Sequence, residues 1–314
     1  MKAIVCPKYG PPEVLRLEDV AKPVPASDEV CIKVHATAVT ASDIFIRGSQ
    51  IPIRFLIPMR LMLGVTKPRR SIIGLVLAGE VESIGANIKR FKPGDQVYGL
   101  TGFGLGAYAE YKCMKETDST YGCLARMPAN VTYEEATAAA YGGLLALQYT
   151  AKGNIQPGQR VLIYGASSTS GTTAVQYAKH LGAEVTAVCS TANLDLARSL
   201  GADRVIDYHK EDSPGPGTQF DFMLDAVGKA KTSELKVACR KALAPAGVHA
   251  SIDDGSLLLD SQRLDLMREL VEAGHIRPVV DRCYPLEEIV EAHRYVGAGH
   301  KRGGVAVTVG HVDR

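Results

Sequence analysis

The spacing of apolar positions changes period along the chain. In the first third, Glu29-Val30-Cys31-Ile32-Lys33-Val34-His35-Ala36 alternates polar and apolar, the period of a half-buried strand. Val76 to Gly85 repeats the pattern, and Lys92-Pro93-Gly94-Asp95 marks a turn ahead of the strand-like Gln96-Val97-Tyr98. Near Thr132 the period becomes helical. Thr132 and Glu135 have capping-box spacing, and an Ala-rich run continues to about Thr150. Strands and helices then alternate. The pattern predicts strands at 160–164, 184–189, 204–208, 220–227 and 248–252, with helices at 172–181, 194–200 and 232–243 between them. Ala174, Val175, Ala178 and Leu181 share one face of the first of these helices. A tail follows, with helices at 262–273 and 286–296 and strands at 276–280 and 304–309. Strands joined through helices imply right-handed crossovers and a parallel sheet. There is no internal repeat and no low-complexity tract.

Composition narrows the functional classes. A chain of 314 residues is long enough for two domains, and 46% apolar with 22% charged residues suits a well-packed interior. The 36 basic and 34 acidic residues nearly cancel, which gives no basis for a nucleic-acid or acidic-lipid partner. Seven scattered cysteines, none in a CxxC pair, do not form a disulfide framework and point to a reducing compartment. The N-terminal residues lack the apolar core of a signal peptide and the Arg/Ser-rich character of a transit peptide, and no apolar run is of membrane-spanning length. The expectation is a cytoplasmic protein without stable membrane insertion.

The segment Gly165-Ala166-Ser167-Ser168-Thr169-Ser170-Gly171 lies between a strong strand and an amphipathic helix. A dinucleotide-binding fold needs small residues there: the turn is tight, the backbone approaches a pyrophosphate, and the helix amino end offers unpaired N–H groups. The alternative is an ordinary strand–helix connection. Placement within a series of βα units favours the dinucleotide. The next strand ends Val188-Cys189-Ser190-Thr191, without the carboxylate that holds the ribose 2′-OH of NAD. Its absence removes repulsion against a 2′-phosphate, so NADPH is expected, with NADH possible. Arg198, Arg204 and Lys210 are the basic candidates nearby.

Over essentially its whole length the chain resembles the zinc-independent, quinone oxidoreductase-like branch of the medium-chain dehydrogenase/reductase superfamily. The segments that carry the resemblance are MKAIVCPKYGPPEVL, VTASDIFIRG, LAGEVESIG, FKPGDQVYG, GAYAEY, the stretch from GNIQPGQRVLIYGAS to LGADRVIDY, DAVG, and YPLEEIVEAHRYVGAGHKRGGVAVTV. The resemblance implies an α/β fold: a GroES-like β domain over 1–125, completed by 265–314, and a Rossmann-type doubly wound parallel-sheet domain over 126–264. It also implies a cleft between them, a homodimer, and hydride transfer from NADPH to a quinone or an α,β-unsaturated carbonyl. The expected cofactor set is Gly165 to Gly171 with Ser190, Thr191, Asn193, Tyr208, Ala226 and Val227. The substrate is expected to be a small apolar carbonyl or quinone.

Zinc-dependent relatives carry a Cys where this chain has Thr40 and a His-Glu pair where it has Leu75 and Val76. Those residues cannot form a catalytic zinc site, and Cys113 with Cys123 cannot make the four-Cys structural lobe, so no metal is expected. Quinone oxidoreductases often have Asn at position 40 and Tyr at position 45. Here Thr40 and Phe45 replace them, and Ser168 stands where glycine is common. Thr40, with Ser42 and Tyr141 behind it, is the expected polar group near a reacting carbonyl. A hydroxyl bonded locally to its own backbone is the competing reading of Thr40. Asp43 is expected to tie down its loop or to pair with Arg47. Ile51 to Arg70 reads as the rim of an apolar pocket, and the eight histidines read as structural or surface groups. Two other functions stay open: a non-catalytic nucleotide-binding relative, and an NADPH-dependent reductase of simple aldehydes or ketones.

Overall fold

A computed structural model describes residues 1–48, 63–229 and 231–311. The expected pocket-rim segment falls outside the described residues over 51–62. The chain divides into two compact units. The first is Met1–Ala140 with Leu259–Arg268 and Val280–Arg314, and the second is Tyr141–Leu258 with Glu269–Val279.

In the first unit, β1 (Lys2–Val5) pairs with β2 (Arg16–Asp19), and β3 (Glu29–Ala38) leads into α1 (Ala41–Gly48). A larger sheet is built on β3. Along it lie β4 (Val76–Ile84), β5 (Gln96–Leu100), β6 (Tyr111–Lys115), β7 (Cys123–Arg126), β13 (Val280–Pro285) and β14 (Gly304–Thr308), in the order β13-β14-β3-β4-β5-β7. β6 also pairs with β3, over Glu29–Lys33, while β14 takes Ala36–Ala38. Val30, Ile32 and Val34 enter the core with Ile4, Leu77, Val97, Tyr108 and Leu124, while Glu29, Lys33 and His35 face away from it. The period-2 pattern of the sequence is the alternation of these two faces.

The second unit holds β8 (Arg160–Tyr164), α3 (Thr169–His180), β9 (Glu184–Cys189), α4 (Leu194–Ser199), β10 (Arg204–Asp207), β11 (Phe220–Asp225), α5 (Glu234–Lys241) and β12 (Leu243–Ser251). Its five strands are parallel, in the order β10-β9-β8-β11-β12. β8 is buried on both faces, as the unbroken apolar run VLIY requires. Val161 and Ile163 enter one core cluster, and Leu162 and Tyr164 enter the other. From β8 the chain winds outward through β9 and β10, then crosses back to place β11 on the opposite side of β8. The strand order therefore reverses between β8 and β11. In open α/β sheets the crevice beyond the carboxyl ends of those two strands is where ligands bind.

Two expectations need correction. The units divide inside α2 (Tyr133–Thr150) rather than at residue 126. The start of that helix belongs to the first unit, where Tyr133 stacks on His35 at 4.5 Å and accepts a hydrogen bond from Gln96 at 3.0 Å. Leu145, Ala146 and Tyr149 enter the core of the second. The strand expected at 276–280 begins only at Val280. Arg277 donates its N–H to Gln176 Oε1 and accepts from Gln176 Nε2, so its backbone is already satisfied, and Pro278 has no N–H for a ladder. The remaining helices are α6 (Ser261–Glu272) and α7 (Ile289–Ala298).

Candidate active site

The turn from β8 to α3 occupies the switch point. Gly165 has φ +83°, a left-handed conformation that glycine adopts without strain, and its N–H donates to Val188 O at the end of β9. Ala166 N donates to the same carbonyl at 3.0 Å. A Cβ on Gly171 would meet Gly165 O at 2.2 Å, so only glycine lets the helix approach this closely. Ser168 has φ −71° and ψ 167°, ordinary extended backbone in which a side chain costs nothing. It caps α3, its Oγ accepting from Gly171 N at 3.0 Å and donating to Ala226 O at 3.3 Å. Ser170 is buried, with its Oγ 3.5 Å from that of Ser168. Both hydroxyls therefore turn back into the protein.

The walls come from neighbouring strand ends. At the end of β11, the buried Asp225 forms an ion pair with Lys236 of α5 at 2.5 Å and accepts from the amides of Val227 and Gly228. Lys236 Nζ also donates to Gly228 O and Lys231 O. Ala226 N bonds Tyr164 O at 2.8 Å, and these contacts fix the Ala226–Val227 strip beside Gly165. On the other side, Asn193 Nδ2 donates to Ser167 Oγ and Ser190 Oγ, while its buried Oδ1 has no partner. Thr191 donates to Asp207 Oδ2 at 2.5 Å, and Asp207 Oδ1 accepts from His209 N. The Thr191 hydroxyl is the main cause that holds the Asp207 carboxyl below its ordinary range. Lys210 Nζ stands 3.9 Å from that carboxylate. Tyr208 donates its N–H to Cys189 O and packs its half-exposed ring on His209. Arg198 is engaged with Asp195 instead. All thirteen expected cofactor residues thus follow the carboxyl ends of four strands of one parallel sheet, β8, β9, β10 and β11.

The expected catalytic residues are divided between the two units. Thr40 and Ser42 belong to the start of α1 in the first unit, and Tyr141 to α2 in the second. Thr40 forms a capping box with Asp43: its Oγ1 accepts from Asp43 N, and Asp43 Oδ2 accepts from Thr40 N at 2.8 Å. The Thr40 hydroxyl proton goes to the same carboxylate at 2.6 Å. Arg47 turns away from Asp43, donating to His293 Nδ1 and Gly10 O. Complete burial pushes the Asp43 carboxyl up to about 7, against the lowering effect of its hydrogen bonds from Thr40. His293 is pushed down to about 3 by burial and then by Arg47.

Residues 26–124 match the family described as "Alcohol dehydrogenase GroES-like domain", and residues 171–253 and 254–307 match families described as "Zinc-binding dehydrogenase". The chain is 31% identical over 358 residues to the mouse protein named NAD(P)H oxidoreductase RTN4IP1, mitochondrial, covering 98% of this chain and 89% of that one. It is 29% identical to the tomato 2-methylene-furan-3-one reductase, over 98% of this chain and 79% of that one. The solved structure of the quinone oxidoreductase from Coxiella burnetii superposes with a TM-score of 0.84, 26% identity and 99% of each chain covered. The chain belongs to the medium-chain dehydrogenase/reductase superfamily, in its quinone oxidoreductase-like group. The unit with the seven-stranded sheet is the GroES-like domain and the unit with the five-stranded sheet the Rossmann-type domain of that fold.

In this quinone oxidoreductase-like chain, sequence reasoning missed Asp207, Asp225 and Lys236. The pairing of Thr40 with Asp43 had a legible signal, the T-x-x-D spacing before a helix. Replacing Lys236 with Met should leave Asp225 buried and unpaired, destabilising the protein by about 3–5 kcal/mol in urea unfolding. Asp43→Asn tests the buried carboxyl. The folded state binds the Asp43 proton more tightly than the unfolded chain does, so wild type loses stability as pH rises from about 4 to about 7. Against the Asn variant, which does not titrate, that loss should approach roughly 1.4 kcal/mol per pH unit and level off above the window. A constant difference across the same pH series would show that Asp43 ionises normally.

Proposed function

We propose that this chain reduces quinones or α,β-unsaturated carbonyls with NADPH, without zinc. The observation that carries the reading is the glycine-bounded turn, capped at the amino end of α3 and set at the switch point of a parallel sheet. The names of the tomato reductase and the Coxiella structure support the substrate class. Thr40, Leu75 and Val76, at the positions of the zinc ligands in metal-dependent relatives, support a zinc-free reaction.

A bound nicotinamide supplies the hydride, and the protein supplies placement and electrostatics. Gly165 to Gly171 would receive the pyrophosphate on the helix amino end. Ser168 can keep accepting from Gly171 N while its single proton swings from Ala226 O to a phosphate oxygen, because a hydroxyl both donates and accepts. Ser190, Thr191 and Asn193 would meet the adenosine ribose, with the unpartnered Asn193 Oδ1 as an acceptor. Ala226, Val227 and Tyr208 would form apolar walls. Asp207 brings a carboxylate near the end of β9, but Thr191 and His209 N already occupy it. Lys210, the basic candidate that stands beside it, would pair with a 2′-phosphate and favour NADPH. We assign Thr40 first to capping α1 and leave the hydroxyls of Ser42 and Tyr141 as candidate donors to the developing oxyanion. We also propose a homodimer, for which β12 offers a sheet edge. We further propose a cytoplasmic location, in contrast to the relatives named mitochondrial; among the described residues no helix is long and apolar enough to cross a membrane.

Fluorescence titration with NADPH, followed by turnover with a benzoquinone and an enal, tests the assignment. Binding with turnover of either substrate is expected. Binding without turnover would favour a non-catalytic nucleotide-binding protein, and activity on simple ketones alone would favour a carbonyl reductase. Ser168→Asp should abolish binding by placing a negative charge against pyrophosphate. Lys210→Ala should lower the preference for NADPH over NADH by about tenfold, or ~1.4 kcal/mol; an unchanged ratio removes Lys210 from the 2′-phosphate site.

A further inference from the structure

Cys31 of β3 and Cys113 of β6 stand directly opposite each other across an antiparallel ladder. The ladder is in continuous register from Glu29↔Lys115 to Lys33↔Tyr111. Val34 N donates to Glu110 O at 2.9 Å, which continues that register and makes 34/110 a hydrogen-bonded pair. Pairs alternate along such a ladder, so 31/113 is a non-hydrogen-bonded pair. In that geometry opposing Cα atoms lie about 4.5 Å apart and side chains approach most closely. The spacing falls within the roughly 4.4–6.8 Å that a disulfide spans. Directly opposed residues also project from the same face of the sheet.

That face is the one turned from the core. Cys31 alternates with Val30 and Ile32, and Cys113 with Met114, all of which are core residues. The cover is thin and polar. Cys31 Sγ lies 3.7 Å from Glu82 Oε2, and Lys22 pairs with Glu82 while its ammonium sits 3.9 Å over the ring of Tyr111. Cys31 is fully buried and Cys113 half-buried, so a reagent reaches the pair through Cys113. The two thiols share a hydrogen bond, which holds Cys31 below the ordinary thiol range and pushes Cys113 well above it. No such arrangement exists for Cys123, Cys189 or Cys283, which face Leu100, Asp207 and Ala306 across their ladders.

We propose that Cys31 and Cys113 are a redox modification site, a dithiol that closes to a cross-strand disulfide when a low-molecular-weight disulfide reaches Cys113. The adjoining Cys31 thiolate takes the proton of Cys113, and Cys113 Sγ attacks one sulfur of the reagent, forming a mixed disulfide and releasing one thiolate. Cys31 Sγ then attacks Cys113 Sγ, the protein disulfide forms, and the second reagent thiolate leaves. The two protein thiols give up two electrons and two protons, and the reagent disulfide becomes two thiols. The closed bond ties β6 to the amino half of β3, the strand that ends just before Thr40.

Oxidised glutathione is the probe. The whole protein is incubated with it, denatured, alkylated with N-ethylmaleimide and analysed by peptide mass spectrometry. The peptides containing residues 31 and 113 should appear joined, about 2 Da lighter than their reduced sum, and should separate on treatment with dithiothreitol. In Cys31→Ser, glutathione should remain on Cys113, for lack of a resolving thiol. In Cys113→Ser, Cys31 should stay reduced. The proposal is overturned if wild type keeps glutathione on Cys113, or if both cysteines are recovered alkylated. The wild-type readout stands regardless of how either variant folds.

Discussion

The architecture of the second unit depends on how closely one helix can approach the strand that precedes it. In the first turn of α3, Gly171 lies so near Gly165 O that a single methyl group would collide with the carbonyl. This contact aims the amino end of α3 at the point where the sheet reverses its winding. Gly165, in its left-handed conformation, turns the chain sharply enough for the helix to start there, and two amides bonded to Val188 O anchor the turn to β9. Everything the chain could do with an anion follows from that placement, because the partial positive charge of a helix is confined to its first turn.

Ser168 shows how a departure from the usual glycine can be absorbed. Its backbone is extended, so the glycine commonly found there is not needed for conformation. What a side chain could obstruct is the approach of a ligand. Here the hydroxyl caps the helix from within and links it to the strip after β11. That strip is in turn held by Asp225 and Lys236, an ion pair with almost no solvent around it. The turn, the cap and the buried pair form one connected set, and loosening any member would move the walls beside Gly165.

Local features were legible in the sequence, and features that depend on register were not. The alternation in β3, the two-faced burial of β8 and the capping box at Thr132 and Glu135 all arise between near neighbours, and the structure contains them. Thr40 and Asp43 also lie three residues apart, the spacing of a helix cap, and the structure pairs them. Asp207 meets Thr191 only because β10 and β9 run parallel with Asp207 beside Cys189. Lys236 reaches Asp225 across a loop and the start of α5. Cys31 and Cys113 become neighbours only when β6 finds its place on β3. Each of these needs the sheet order, which hydrophobic period alone does not supply.

The central claim is that the turn from Gly165 to Gly171 holds the dinucleotide. Hydrogen–deuterium exchange of the whole protein, with and without NADPH, measures it most directly. Protection should appear in peptides covering residues 165–171, 190–193 and 226–228, with little change along β3 and β4. Saturating NADPH that left the 165–171 peptide unchanged while protecting a different part of the chain would contradict the account.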